Sequence, residues 1–427
     1  MSYAVGFTGS LLLFAAALVL ALMLFIKDLG FAVPGLAGRE GACRPAKAQP
    51  SGWKLFLSIT AVCFVTRLAL LGVCGLVYVF ANGMEPTLAN IASVYGRMDG
   101  YRYLEIAQNG YTASGDYNKM VNLAFFPMYP LLVRLVSLLT GNLYVAAFLT
   151  SNLCLSVTCY YLYRLALLDY EAETARRSVV LLLVFPFSFF CSITYPESTF
   201  LMFSVLCAYC ARRRSWLGAG IFGMLCAFTR TQGILMLAVC AYEYLMEMGI
   251  GKDNWREFFR RLRPNVCWLL LIPVGYLAYL GVNKAVTGDW FAFLTYQREF
   301  WGQSSFGFVP ANIAGVCRSA FEAPNAIERI AGWGTEAAFI FFSLILLTAS
   351  FKKIRTSYFI YMVVYLYVSF SLASLISAPR YLVGAFPLFL MLASWLKNRY
   401  AYAACVFVSA VLLCFYTVAF SFQWYIY

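Results

Sequence analysis

Histidine is absent from this 427-residue sequence, and charged residues make up only 12% of it. The lack of histidine removes the usual general base of neutral-pH catalysis, the commonest metal ligand and any Ser-His-Asp triad. The sequence also has no GxxxxGK[ST] phosphate loop and no GxGxxG turn after a strand, so it lacks the motifs of ATP-driven transport and soluble nucleotide chemistry. Any catalysis therefore depends on carboxylates and arginines.

Apolar sequence dominates instead. Hydrophobic residues are 62% of the chain, aromatics 18%, and the mean hydropathy is +0.75, more than a water-soluble core can bury. The apolar runs are continuous, unlike the alternating strands of a membrane barrel. We predict an all-α polytopic membrane protein, a single integral membrane domain over residues 1–427 with about twelve helices. The predicted spans lie near 10–26, 54–81, 143–166, 178–194, 197–211, 215–230, 232–248, 266–285, 335–351, 356–376, 382–396 and 400–421.

The net charge of +13 indicates membrane topology rather than nucleic-acid binding, because no aromatic and basic nucleic-acid module occurs. If both termini lie outside, most Lys and Arg fall in cytoplasmic loops, as the positive-inside rule expects. The outer side then carries two larger segments, 82–142 and 286–334, and three tips: TYPES (194–198), TRTQG (229–233) and SAPRY (377–381). The cytoplasmic set is Lys27, Arg39, Arg44, Lys47, Lys54, Arg164, Arg176, Arg177, Arg212 to Arg214, Lys252, Arg256, Arg260, Arg261, Arg263, Lys352, Lys353, Arg355, Lys397 and Arg399.

Two features invite other interpretations. The run 10–26 lacks the basic start of a signal peptide and is followed by Lys27 and a basic loop, so we expect a retained span.

The pair Cys207 and Cys210 in "CAYC" has redox spacing, but it lies within an apolar helix. We therefore expect plain packing of these thiols rather than redox chemistry.

The first outer segment concentrates charge in "YGRMDGYRYLEIAQNGY" (95–111). A short helix is predicted over 98–108, ended by Gly110. At helical spacing Asp99 shares a face with Arg102 and Tyr103. This places a carboxylate on the outer side, close to the lipid surface.

Apolar residues in the same segment predict contact with the membrane interface. Leu104 and Ala107 form a patch on the first short helix that we expect to dip into lipid. A second short helix is predicted to begin near Pro127 or Pro130 and to carry Arg134. We expect it to lie along the membrane surface, because counting it as a span would invert the charge bias downstream.

Six separated motifs stand out along the chain: "MDGYRYLEIAQNGY", "LAFFPMYPLL", "FPFSFFCSITYPESTFL", "LCAFTRTQGILML", "QREFWGQ" and "PRYLVGAFPLFLMLA". Together they resemble the PIG-V family of mannosyltransferases, named for the enzyme that adds the second mannose of glycosylphosphatidylinositol. The resemblance covers about residues 60 to 395, and Met98 stands where the family usually has Trp. It implies a C-class glycosyltransferase fold, a polyprenyl-phosphate sugar donor and a catalytic carboxylate in the first outer loop.

The outward position and the resemblance together make Asp99 the predicted catalytic residue. Inverting glycosyl transfer needs a group that accepts the proton of the attacking hydroxyl. The alternative is an Asp99–Arg102 ion pair that only shapes the loop, since exposed pairs of this kind are common and contribute little.

Two arginines are the predicted ligands of the donor phosphate, whose charge grows as its bond to the sugar breaks. Arg230 and Arg380 each lie at an outer helix tip within apolar sequence, where charge is costly. Alternatively, each side chain snorkels to the lipid headgroups.

Six further residues are predicted to bind the acceptor or the sugar. Glu197 also suits the first turn of the following helix, where Pro196 and an acidic side chain are favourable. The aromatic residues also suit anchoring at the membrane interface. The six are Arg102, Tyr103, Tyr195, Glu197, Gln297 and Trp301.

A metal site has little support in the sequence. Without histidine it would need carboxylates such as Asp99, Glu105 and Asp116 to converge, and no two of these have a metal-loop spacing. We expect no cofactor and no required divalent metal.

The sequence thus predicts a membrane glycosyltransferase, with mannose favoured, that transfers a hexose with inversion from a polyprenyl-phosphate donor to an extracytoplasmic glycolipid or glycan. Its expected partners are these substrates and membrane lipids, with no nucleic acid. The alternatives are a multi-span transporter or lipid flippase, and a purely structural membrane protein. Compact loops favour a bacterial plasma membrane, with the endoplasmic reticulum as the alternative.

Overall fold

The computed structural model describes residues 52–112, 120–249, 262–303 and 307–424, together with Thr8 and Arg260. The predicted span 10–26 and Asp116 lie outside the described residues. The described chain folds into seventeen α-helices. They are α1 (Gly52–Ala81), α2 (Leu88–Val94), α3 (Asp99–Asn109), α4 (Met128–Thr140), α5 (Leu143–Ala166), α6 (Ala172–Val184), α7 (Glu197–Arg212), α8 (Trp216–Ala227), α9 (Met236–Glu247), α10 (Leu271–Thr287), α11 (Ala292–Trp301), α12 (Val309–Glu322), α13 (Thr335–Ala349), α14 (Thr356–Phe370), α15 (Ala378–Gly384), α16 (Phe386–Trp395) and α17 (Arg399–Ser421).

The helices account for the apolar runs of the sequence. Every predicted span from 54–81 onward overlaps a helix of the structure. Shorter apolar helices, α4, α8, α14 and α16, pack among the long ones. The chain is therefore an all-α, multi-pass membrane protein. Five segments are both long and apolar enough to cross a bilayer, namely Gly52–Ala81, Leu143–Ala166, Pro264–Thr287, Glu328–Ala349 and Arg399–Ser421.

The predicted span 178–194 is not one continuous helix. Helix α6 ends at Val184, and Phe185 takes an extended backbone conformation because the residue before Pro186 is sterically kept out of the helical region. A separate 3-10 helix, Ser188–Cys191, follows. Arg67, which is 1% exposed, donates to the Leu183 carbonyl oxygen at 2.6 Å and to Ser188 Oγ at 3.1 Å. This buried arginine thus stabilises the break by donating hydrogen bonds to groups on both sides of it.

Basic residues from predicted cytoplasmic loops meet buried acids at one end of the bundle. Arg212 donates to both carboxylate oxygens of Asp169, at 2.5 and 2.9 Å. Arg355 does the same to Glu243, at 2.6 and 2.7 Å, and Arg212 lies 3.7 Å from Glu243. Opposite charges compensate one another's burial. Since Arg212 ends α7 and Glu197 begins it, the two ends of this helix are about 22 Å apart.

The first short helix forms as predicted, but its apolar patch faces protein. Helix α3 spans Asp99–Asn109 and is followed by Gly110 at φ +72°. Leu104 and Ala107 are 7% and 2% exposed, so the expectation that they dip into lipid is wrong. Helices α4 and α5 fold over this face and cover it with a buried cluster that includes Tyr129, Val133, Ala146 and Ala147.

The second short helix, α4, also forms where it was predicted. Pro127 precedes it, and Gly141 ends it in a left-handed conformation at φ +66°. Leu138 and Leu139 are 77% and 88% exposed. An exposed apolar stripe of this kind suits a helix that lies on a membrane.

The cysteines of "CAYC" are both free. Cys207 is buried, with its sulfur 3.2 Å from the Ala219 carbonyl oxygen and 3.5 Å from the sulfur of Cys240. Cys210 is only partly buried. The two thiols pack as small apolar side chains in α7, in agreement with the packing interpretation.

Candidate active site

Four charged side chains from four separate segments meet at the other end of the bundle. Arg380 Nη1 donates to Asp99 Oδ2 at 3.1 Å, and Arg380 Nε lies 3.5 Å from Glu197 Oε1. Arg230 Nη1 donates to the same Glu197 oxygen at 2.6 Å. The predicted acid and both predicted phosphate ligands therefore form one group, which we call the charged quartet: Asp99 in α3, Glu197 in α7, Arg230 in the loop after α8 and Arg380 in α15.

The quartet has a buried floor and a more open edge. The side chain of Glu197 is 1% exposed, those of Arg230 and Arg380 are 12% and 14% exposed, and that of Asp99 is 27% exposed. Two carboxylates and two guanidinium groups balance in charge, which lowers the cost of burying them. Asp99 is the member that a substrate can reach most readily, while Glu197 lies beneath the arginines.

The quartet retains unused hydrogen-bonding capacity. Arg380 Nε and Glu197 Oε2 are buried and have no hydrogen-bond partner among the described residues. Burial by itself would lower the pKa of Arg380, but the nearby carboxylates of Glu197 and Asp99 outweigh it and raise that pKa above its ordinary value. Arg380 therefore remains a cation inside the site.

Aromatic rings frame both guanidinium groups. Arg380 lies 5.5 Å from the ring centre of Tyr195 and 5.6 Å from that of Phe190. Arg230 lies 5.4 Å from the ring centre of Tyr381. Rings at such distances attract a cation and restrict its orientation, most strongly where water is excluded. Tyr195 thus contributes to the floor of the site, next to Arg380.

Tyr103 and Trp301 belong to a chain of contacting aromatic rings that leads away from Tyr195. The ring of Tyr103 lies 6.2 Å from that of Tyr195 and 5.0 Å from that of Phe125, and Phe125 lies 5.6 Å from Trp301. Burial, reinforced by the charge of Glu197, raises the pKa of Tyr103. Its phenol is therefore neutral at physiological pH. Trp301 of the second outer segment thus contacts Phe125 of the first.

Arg102 and Gln297 lie outside the charged quartet. Arg102 is 3% exposed, donates to Asn122 Oδ1 at 3.3 Å and lies 5.3 Å from the ring centre of Phe300. Asp99 pairs with Arg380 rather than forming the loop-shaping pair with Arg102. Gln297 is half-buried in α11, and within the described residues no contact joins its side chain to the quartet.

Strained backbone precedes two members of the quartet. Met98, immediately before Asp99, has φ +51°, and Ser377, three residues before Arg380, has φ +72°. Positive φ costs a non-glycine residue conformational energy, and such residues concentrate at functional sites. The surrounding structure therefore fixes both segments in place.

Gly100 lets α3 approach the TYPES segment closely. A Cβ atom at this position would lie 2.3 Å from Thr194 Oγ1 and 3.3 Å from Tyr195 Cε2. The Thr194 hydroxyl in turn donates to the Tyr95 carbonyl oxygen at 2.8 Å. The contact brings Asp99 next to the segment that carries Glu197.

We expect Gly100→Ala to lower turnover and to cost about 1–3 kcal/mol of stability, because an extra methyl group in a packed contact displaces its neighbours. Transfer rates and thermal melting of the purified protein measure both effects. Adding Thr194→Ala removes the clashing hydroxyl and should recover part of the rate. Gly281→Ala is the matched control, since a Cβ atom there meets nothing within 4 Å. Unchanged turnover in Gly100→Ala would contradict the close approach.

The sequence analysis did not identify Glu336, whose carboxylate accepts hydrogen bonds from the backbone N–H groups of Ser377 and Ala378 at 2.9 and 2.7 Å. It lies in the first turn of α13. The available signal was an acidic residue at the outer end of the otherwise apolar run 335–351, since ionisable residues in such positions are rare.

Metal ligands do not cluster in the described part of the chain, where no three His, Cys, Asp or Glu side chains come together. Asp99 and Glu197 are both engaged by arginine. Asp116 lies outside the described residues. A quartet with as many cations as carboxylates is a poor donor set for a divalent ion.

The comparisons with known proteins agree with this architecture. Residues 126–277 match the family model described as dolichyl-phosphate-mannose-protein mannosyltransferase. No curated protein is similar enough to count as a match. ArnT from Cupriavidus metallidurans, solved with bound undecaprenyl phosphate, has a similar fold, with a TM-score of 0.51 at 15% sequence identity. The alignment covers 85% of this chain and 64% of ArnT. The chain is thus similar in fold to a protein whose structure contains undecaprenyl phosphate.

Proposed function

We propose that this protein is a membrane glycosyltransferase that moves a hexose from a polyprenyl-phosphate donor to an acceptor hydroxyl on the outer side of the membrane. One observation carries the proposal. A partly exposed carboxylate, Asp99, lies 3.1 Å from Arg380, and Arg380 shares the buried Glu197 with Arg230. A proton acceptor thus stands beside two cations, as displacement of a phosphate leaving group from a sugar requires.

In the proposed reaction the acceptor oxygen attacks the anomeric carbon while Asp99 takes the hydroxyl proton. The bond between that carbon and the phosphate oxygen breaks, and the lipid phosphate leaves with the electron pair. Configuration at the anomeric carbon inverts. The guanidinium group of Arg380 can bind the departing phosphate, and Arg230 adds a second positive charge. Glu197 holds both guanidinium groups from below.

The choice of mannose and of a lipid-phosphate donor has three supports. One is the resemblance of separated motifs to the PIG-V family. Another is the match of residues 126–277, which include Glu197 and Arg230, to a mannosyltransferase family model. The last is the fold similarity to ArnT with its bound undecaprenyl phosphate. We further propose a glycolipid or glycan acceptor and a bacterial plasma membrane, with the endoplasmic reticulum as the alternative compartment.

A transporter or flippase is the rival function, and it would place ionisable residues along a path through the membrane. Arg67, which lies well inside the long span Gly52–Ala81, is the arginine that could suggest such a path. Its donors go to the Leu183 carbonyl and the Ser188 hydroxyl at the break after α6, which is a structural role. The charges of the quartet gather instead at one end of α7.

The test is transfer by the purified protein in lipid nanodiscs, supplied with polyprenyl-phosphate mannose and a panel of glycolipids, glycans and peptides. We expect release of polyprenyl phosphate together with a mannosylated product of inverted configuration. Polyprenyl-phosphate glucose in place of the mannose donor tests the choice of sugar. Movement of the intact donor across proteoliposomes, with no transfer to any acceptor, would support the transporter instead.

We expect transfer to continue in excess EDTA, because arginine charges take the place of a metal at the leaving phosphate. Rates before and after chelation, and after adding Mg²⁺ or Mn²⁺, provide the measurement. Loss of transfer in EDTA with recovery on adding either ion would overturn this expectation.

A further inference from the structure

The helix that carries Arg380 begins with an unfavourable backbone conformation. Ser377, directly before α15, has φ +72° and ψ +28°, the left-handed region that is normally left to glycine, asparagine and aspartate. It is also 5% exposed. A residue in this state persists only where its surroundings hold it there.

Glu336 from α13 holds this turn. Its Oε1 accepts from the Ser377 N–H at 2.9 Å, and its Oε2 accepts from the Ala378 N–H at 2.7 Å. Glu336 is 8% exposed, so its carboxylate depends on these two charge-assisted bonds in place of water. Both oxygens are engaged by the backbone at the start of α15.

The consequence falls on Arg380. Its Cα lies two residues beyond Ala378 in a helix of only seven residues, so the orientation of that first turn sets where the guanidinium reaches. Arg380 must lie within 3.1 Å of Asp99 and 3.5 Å of Glu197 at the same time. A small rotation of α15 would break one of these contacts, because ion-pair geometry at a buried site is strict.

We propose that Glu336 is a positioning residue for the donor phosphate. Its two hydrogen bonds to the backbone, which we call the clamp, fix the first turn of α15 and thereby orient the Arg380 side chain. This inference rests on the proposed function, since it assumes that Arg380 binds the phosphate. Glu336 acts through the backbone of α15 and needs no contact with the substrate.

A double-mutant cycle on lipid-phosphate binding tests the clamp. The probe is undecaprenyl phosphate, with undecaprenol as the matched lipid without phosphate, and affinities are measured on the purified protein in nanodiscs. In Glu336→Gln, an amide N–H₂ must face one of the two backbone N–H groups, so we expect affinity for the phosphate lipid to fall about tenfold. In an Arg380→Met background, Glu336→Gln should cause no further loss of affinity, because the guanidinium group that Glu336 orients is absent.

Two other variants keep the result interpretable. Glu336→Asp retains the negative charge but places it one methylene group farther from the α15 backbone. We expect it to lower affinity for undecaprenyl phosphate less than Glu336→Gln does, and it provides a measurement if Glu336→Gln folds poorly. Glu328→Gln is the control: it makes the same chemical change two turns earlier on the same helical segment, where the carboxylate contacts Asn325 and Trp333, and it should leave affinity unchanged.

The possible failures are distinguishable. If the wild-type protein binds undecaprenol as tightly as undecaprenyl phosphate, the phosphate site itself, and with it the proposed function, is wrong. If the wild-type protein prefers the phosphate lipid but Glu336→Gln and Glu336→Asp bind it normally, the clamp is wrong. An equal loss with and without Arg380 would show that Glu336 acts independently of that arginine, which also overturns the inference.

Discussion

Asp99→Asn should reduce transfer by about 10²–10⁴-fold, the range that general-base catalysis typically contributes. The amide keeps the shape of the side chain and can still accept a hydrogen bond from Arg380, which lies 3.1 Å away in the native protein. It cannot take the proton of the acceptor hydroxyl. Turnover with polyprenyl-phosphate mannose and a saturating acceptor measures the loss, and thermal melting checks that the variant is folded.

A carboxylate elsewhere in the first outer segment provides the control. Glu85 is exposed, and among the described residues only its backbone carbonyl is engaged, by Asn90 and Thr87, so Glu85→Gln should transfer at the native rate. Affinity for undecaprenyl phosphate should persist in Asp99→Asn, because both arginines remain. A folded Asp99→Asn protein that transfers sugar at the native rate would show that Asp99 is not the base.

The sequence analysis singled out three members of the charged quartet, but it did not predict their arrangement. Arg230 and Arg380 are conspicuous because charge is costly in apolar surroundings, whereas Asp99 lies in a charge-rich stretch and was identified from its outward position together with the family resemblance. That Asp99 would pair with Arg380, 281 residues away, and not with its helical neighbour Arg102, depends on where the tertiary fold places α15 relative to α3. No local pattern contains that information.

The two expectations that the structure changes have different origins. Leu104 and Ala107 were expected to face lipid because an apolar stripe looks the same whether it contacts membrane or protein. Helices α4 and α5 cover it in the fold. The predicted span 178–194 is interrupted for a local reason, because Pro186 lies inside an apolar run and the helix ends before it. That break could have been predicted from the sequence.

Glu197 combines its predicted place in the first turn of a helix with two ion pairs that the sequence analysis did not predict. It begins α7 directly after Pro196, which the first-turn interpretation predicted. Its carboxylate also lies at the bottom of the charged quartet, between Arg230 and Arg380. A buried acid at a helix N-terminus is stabilised there by the backbone, and from that place it holds two cations that would otherwise repel each other.

Glu197→Gln should therefore cost about 3–5 kcal/mol of stability, the range found when one partner of a buried ion pair is removed. It should also reduce transfer strongly. The change removes the negative charge of the carboxylate that Arg230 and Arg380 both contact, at 2.6 and 3.5 Å, so one uncompensated positive charge remains in the site. Chemical or thermal unfolding measures the first effect, and transfer by the folded fraction at low temperature measures the second.

Two variants separate charge balance from catalysis. Glu197→Gln combined with Arg230→Gln restores neutrality, so it should recover part of the stability while transfer stays low, because a phosphate ligand has been lost. Glu243→Gln is the matched control. Glu243 is also a buried carboxylate near two arginines, Arg355 and Arg212, but it lies at the opposite end of the bundle. It should lose comparable stability and keep its turnover per folded molecule. If Glu197→Gln were as stable and as active as the native protein, the buried carboxylate would not be what holds the two arginines at the site.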